Sequence, residues 1–135
     1  MDFPKLPHGT NVLGVGIDQI EVSRIRESLD RHGDAFLGKV FTAQEQEVCM
    51  KRTDPAPCLA ARFAAKEAIA KALGTGIGME FGWLDLEVLR QENGKPIASF
   101  SAHGLNTLAG QGASSALLSL SHLNEVASAV AVLIK

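Results

Sequence analysis

A chain of 135 residues with 46% hydrophobic and 21% charged residues is too apolar for a disordered protein, and its length suits one domain. At this size about two-thirds of the unfolded surface is buried, so a real core needs no staples. A formal net charge of −2 and 5% aromatics, with no Tyr, argue against a phosphate-backbone or base-stacking surface, so no nucleic-acid partner is expected.

Residues 1–11 hold two prolines and no apolar run, and are read as an irregular arm without a signal peptide. No stretch approaches transmembrane length, so no membrane partner is expected, and the protein is read as cytoplasmic. Val12 to Ile17 (VLGVGI) reads as a strand in which Gly14 and Gly16 imply close approach by another backbone. Asp18 follows, and Glu21 opens a helix with Val22, Ile25 and Leu29 on one face and Gly33 at its end. Asp18 and Glu21 stand at capping-box spacing, so Asp18 either caps this helix or presents a metal ligand from a strand end. Arg24, Arg26 and Arg31, mixed with Glu27 and Asp30, ordinarily make a solvated face.

Phe36 to Phe41 is read as a short apolar connection, after which Thr42-x-x-Glu45 gives a capping box for a helix to about Arg52. Asp54-Pro55-Ala56-Pro57 stops that helix. Cys49 and Cys58 flank this turn at no zinc or redox spacing; of a short disulfide between them and reduced thiols, the reduced thiols are expected. After Pro57 comes ARFAAKEAIAKALGTGIG (61–78), a run of high helix propensity ended at Gly74-Thr75-Gly76. Alanines cover nearly every side of it, as in a buried helix, so Lys66, Glu67 and Lys71 must meet partners. Glu67 and Lys71 form either an ordinary one-turn ion pair or a site facing a cation and an anion.

Beyond Gly78, Trp83 to Arg90 alternates like a half-buried strand, and Asn93-Gly94 turns it into a second strand, Ile97 to Phe100. Residues 102–110 read as a short helix, and Ser115–Ser121 and Val126–Ile134 as a last pair of strands. The sum is an α+β domain, over residues 12–135, with a mostly antiparallel sheet and a long central helix.

Asp18, Glu67, Lys66, Lys71, the Gly74–Gly76 loop and His122 form the one combination with chemical promise. Two carboxylates bind Mg²⁺ weakly unless substrate phosphates complete its oxygen shell, and lysines balance the remaining phosphate charge. His122, at a strand end, has an ordinary surface reading as well. His8, His32 and His103 have only that reading.

These residues lie in motifs that resemble the holo-[acyl-carrier-protein] synthase family of small bacterial 4′-phosphopantetheinyl transferases. The motifs are GVGIDQIEVSRI (14–25), VFTAQE (40–45), the central 61–78 stretch, NGKP (93–96) and LSLSH (118–122). The resemblance implies a homotrimer that moves 4′-phosphopantetheine from coenzyme A to a serine of apo acyl carrier protein in fatty acid biosynthesis, releasing adenosine 3′,5′-bisphosphate. It assigns Asp18 and Glu67 to Mg²⁺, and Lys66, Lys71, Gly74, Thr75, Gly76 and His122 to coenzyme A. Asp18, Glu67, Lys71 and His122 are the implied catalytic set. Arg24 and Arg31 would face the carrier protein, and Lys51 and Arg52 remain for the 3′-phosphate. The arm is longer than the family's usual start, and the 49–58 region departs from its basic segment. Two other readings are a non-catalytic module binding coenzyme A or carrier protein, and the broad-specificity transferases, whose chains resemble two such halves fused.

Overall fold

The computed structural model describes Gly9 and residues 11–135, so the expected arm over residues 1–11 falls almost wholly outside the described residues. In chain order the elements are β1 (Val12–Glu21), α1 (Val22–His32), α2 (Asp34–Val40), α3 (Ala43–Met50) and α4 (Ala56–Leu73). A 3-10 turn (Trp83–Asp85) then leads to β2 (Leu86–Arg90), β3 (Pro96–Phe100), α5 (Ala102–Gly110), β4 (Ser115–His122) and β5 (Val126–Ile134). The strands form an antiparallel sheet in the order β1-β5-β4 and a separate β2-β3 hairpin. The α+β reading holds. No described helix is long and apolar enough to cross a membrane.

The alanine-rich α4 lies across one face of the larger sheet, with Ala60, Ala61, Ala64, Ala65, Ala68 and Ala70 fully buried. Small side chains let its backbone approach β1 closely, and the glycines of β1 complete the fit. A Cβ on Gly16 would stand 2.0 Å from the carbonyl oxygen of Ala68, and one on Gly14 2.3 Å from that of Ala72. Even-numbered residues of β1 therefore face α4, and Asp18 is the next of them.

Four local expectations are corrected. β1 runs on to Glu21, so Asp18 is inside a strand and caps nothing; α1 begins at Val22 with no side-chain cap. Every residue from Gly14 to Glu21 pairs with β5, and that ladder outweighs the capping-box spacing. Residues 34–40 form a helix, α2, because Leu37 and Val40 both turn into the core after Gly33, whose φ of 50° redirects the chain. Trp83 to Asp85 wind as a 3-10 turn, leaving only Leu86–Arg90 as strand. Cys49 and Cys58 are joined in a disulfide rather than free, since the end of α3 and the start of α4 bring their Cα atoms to 5.4 Å. The Thr42–Glu45 capping box is present as expected.

The 3-10 turn is anchored by Asp85. Its carboxylate accepts from the Gly82 amide at 2.8 Å, the Ser101 hydroxyl at 2.6 Å and His103 Nδ1 at 2.9 Å. Serine, histidine and aspartate meet here, but the serine bonds to the aspartate, and its oxygen accepts from the Gly104 amide as the cap of α5. This arrangement holds α5 and activates no nucleophile. Burial opposes the charged form of Asp85, yet the Ser101, Gly82 and His103 hydrogen bonds outweigh it and hold the carboxyl below its ordinary range. A depressed folded value contributes stability that is present above the unfolded value and lost as pH falls through the folded one. Acid titration of wild type should therefore show a loss on the order of 1 kcal/mol below about pH 4 that Asp85→Asn lacks, read from urea midpoints at each pH.

Candidate active site

β1 and α4 bring Asp18, Lys71 and Glu67 together from two rigid elements. Lys71 Nζ donates to Asp18 Oδ1 at 2.8 Å and to the Ile17 carbonyl at 3.0 Å. The expected one-turn pair of Glu67 with Lys71 thus gives way to a pair across elements. Burial first, and then the charge of Asp18, push the Glu67 carboxyl above its ordinary range, with Lys71 opposing. Two carboxylates that repel each other at a half-buried site are an electrostatic cost to the bare protein, and a cation between them would remove it.

The donor set fits a hard divalent cation. Both candidate ligands are carboxylates, and among the described residues no three His, Cys, Asp or Glu side chains cluster as a complete metal site. Coordination positions would remain for water and substrate oxygens, which is how Mg²⁺ is usually bound.

Gly74 caps α4 in the left-handed conformation at φ 74°. The Gly74, Thr75 and Gly76 amides all return to carbonyls of Ala70 or Lys71. They close the helix, and the Thr75 hydroxyl donates to the Gly76 carbonyl at 2.8 Å, so what this loop offers an anion is close approach.

Lys66 does not join the cluster, and its expected place among coenzyme A contacts is corrected. One residue from Glu67, and so about 100° around the helix, it is fully buried. Its ammonium pairs with Glu45 Oε1 at 2.8 Å and donates to the Trp83 and Leu86 carbonyls, each at 2.7 Å. Burial pushes its pKa down while the Glu45 carboxylate pulls it up. Glu45 was legible only as a capping residue. Its burial and its ion pair were not visible in a sequence that puts it on a different helix from Lys66, with a Pro-rich turn between.

His122 ends β4, opposite Ala127 of β5, which is opposite Ile20 of β1. It therefore shares the α4-facing side with Asp18, but two strands across and two residues along, about 12 Å from it by strand spacings. It borders a surface cavity of about 570 Å³ with Leu123 and Asn124. Arg24 and Arg31 line another of about 250 Å³, floored by Ile20, Ile25 and Phe63. Arg31 is held to Glu27 at 3.2 Å by an exposed one-turn pair. Lys51 and Arg52 are exposed beside the disulfide, with Lys51 3.5 Å from Glu47.

The chain is similar along most of its length to several known proteins. The holo-[acyl-carrier-protein] synthase of Chlamydia pneumoniae is 46% identical over 121 residues, spanning 90% of this chain and 96% of that one. The crystal structure of holo-[acyl-carrier-protein] synthase from Neisseria meningitidis superposes with a TM-score of 0.85 at 33% identity, covering 92% and 99% of the two chains. The Helicobacter pylori enzyme of the same name, in complex with coenzyme A, gives a TM-score of 0.79 at 29% identity over 88% and 98%. With residues 14–131 matching its description, the chain belongs to the 4′-phosphopantetheinyl transferase superfamily.

Proposed function

We propose that this protein transfers 4′-phosphopantetheine from coenzyme A to a serine hydroxyl of an apo acyl carrier protein and releases adenosine 3′,5′-bisphosphate. The observation that carries this reading is the approach of Asp18, Glu67 and Lys71 in a chain of this family. Asp18 and Glu67 would hold Mg²⁺, which when bound stabilises charge on the pyrophosphate. Lys71, donating to Asp18 and the Ile17 carbonyl, has a third ammonium hydrogen to offer a phosphate oxygen. The carrier serine oxygen forms a bond to the β-phosphorus as the bond to the departing nucleotide breaks. We assign the serine proton to a carboxylate oxygen of Glu67, because Lys71 engages Asp18 and leaves Glu67 the freer base.

Arg24 and Arg31, over the apolar floor of one cavity, suit an acidic carrier helix. The homotrimer has support in the outer face of the larger sheet. Ile17, Val130 and Leu117 lie there with 64%, 36% and 56% of their surface exposed, Ile17 directly opposite Val130. Copies meeting on that face would cover it. His122 and the Gly74–Gly76 loop would then line the coenzyme A cleft, and the reaction belongs in the cytoplasm. A binding-only module would gain nothing from two mutually repelling carboxylates.

Incubation with apo carrier protein, coenzyme A and Mg²⁺ should add one phosphopantetheine to the carrier by mass, and chelation should stop it. A carrier that keeps its apo mass under these conditions would overturn the reading, and transfer that survives chelation would remove the metal from it.

A further inference from the structure

We infer that Lys66 and Glu45 are positioning residues that set the rotation of α4, and through it the place of Glu67, rather than contacts to coenzyme A. The inference rests on the reading of Asp18 and Glu67 as cation ligands. An ammonium has three hydrogens to donate, and Lys66 spends them on three segments: Glu45 of α3, Trp83 of the 3-10 turn and Leu86 of β2. Glu45 is equally committed. One carboxylate oxygen accepts from Lys66 and from the Thr42 amide at 3.0 Å, and the other accepts from the Val88 amide at 2.8 Å. Both side chains are fully buried, so neither has a substrate-facing atom.

The consequence is mechanical. The glycine seat in β1 fixes how closely α4 approaches Asp18, and beyond its few large buried side chains (Leu59, Ile69, Leu73) the helix presents mostly alanines, which add little shape to fix its rotation. Lys66 supplies a directional pin on the side away from β1, and Phe63, one turn earlier, packs on Trp83 with ring centroids 4.6 Å apart. A rotation of 10–20° about a helix whose side chains reach about 5–6 Å from the axis moves the next carboxylate by about 1–2 Å. That displacement is enough to spoil a shared cation site.

The test compares wild type, Lys66→Met and the double variant Glu45→Gln/Lys66→Met, each confirmed folded by circular dichroism. Glu45→Gln keeps an oxygen for Val88 and removes the stranded charge, so the double variant should recover melting temperature lost in Lys66→Met. Mn²⁺ binding is followed by electron paramagnetic resonance without coenzyme A, and kcat and KM for coenzyme A are measured separately. In both variants kcat should fall about 10²-fold. Mn²⁺ affinity should fall at least about tenfold, with KM for coenzyme A nearly unchanged. A raised KM with unaltered Mn²⁺ binding would instead make Lys66 a phosphate contact, and wild-type kcat and Mn²⁺ affinity in the double variant would remove the positioning role. If Lys66→Met does not fold, the double variant alone decides between these outcomes. Failure of the underlying reading shows separately, as wild type that neither binds Mn²⁺ nor modifies the carrier.

Discussion

Glu67→Gln should lower transfer by about 10³-fold or more, the loss expected when several kcal/mol of metal-derived stabilisation disappears. The same variant should melt at a higher temperature than wild type when both are free of divalent cations. The two effects have one cause. Burial and the neighbouring Asp18 charge raise the Glu67 carboxyl above its ordinary range, so the folded protein prefers it neutral. For an acid whose folded value is raised, the folded state holds the extra proton. Stability is then greatest below the unfolded value and declines as pH rises through the folded one. A neutral amide of the same shape removes that decline. Wild type should thus lose stability between the ordinary glutamate range and the raised folded value, and recover it on adding Mg²⁺, whereas Glu67→Gln should respond to neither. Calorimetric melts across pH, with and without Mg²⁺, check this beside the mass assay. Retained transfer in Glu67→Gln would exclude this carboxylate from the chemistry. Asp18→Asn should be similarly inactive but without the gain in stability, because it leaves Lys71 without its ion-pair partner.

What could be read from the sequence was whatever depends on neighbours along the chain. Asn93-Gly94 gives its turn, with Gly94 at φ 86°, because glycine tolerates a conformation that other residues avoid. Thr42 and Glu45 cap α3 because both partners lie within one turn. The α-face pattern failed at Phe36–Phe41, where α2 is too short for a period to emerge and is fixed by Leu37 and Val40 meeting the core. The same limit governed the site. Asp18 and Glu67, singled out from their motifs, lie close enough for the Asp18 charge to act on Glu67, but the motif that brought Glu67 to notice also contains Lys66, and adjacency on a helix means opposite environments as readily as a shared one. Only the arrival of Glu45, Trp83 and Leu86 from elsewhere in the chain determines that Lys66 points inward. Cys49 and Cys58 were misjudged for a related reason: their approach depends on how α3 and α4 pack.

The glycine seat makes the strongest claim about how the fold holds the site, and Gly16→Ala should test it. The added methyl would lie 2.0 Å from the Ala68 carbonyl oxygen and 2.7 Å from the Ala72 nitrogen. Both are backbone atoms of α4, so no side-chain rotation relieves the clash. β1 or α4 must move, or the protein must unfold. Overpacking of this kind should cost about 3 kcal/mol or more, at the upper end for core insertions because the obstacle is a helix backbone. Gly38→Ala, with nothing within 4 Å of its new methyl and a helical backbone, is the matched control and should gain about 0.4–1 kcal/mol. The two variants add the same atom, so their difference isolates the close approach of β1 to α4. If folded Gly16→Ala can be obtained, separation of β1 from α4 by about 1 Å should lower transfer by about 10²-fold, because Asp18 rides on the strand and Glu67 on the helix. Denaturant midpoints and the carrier mass assay read the two losses independently. A Gly16→Ala protein as stable and as active as wild type would mean that the backbone contact is not what brings the two carboxylates together.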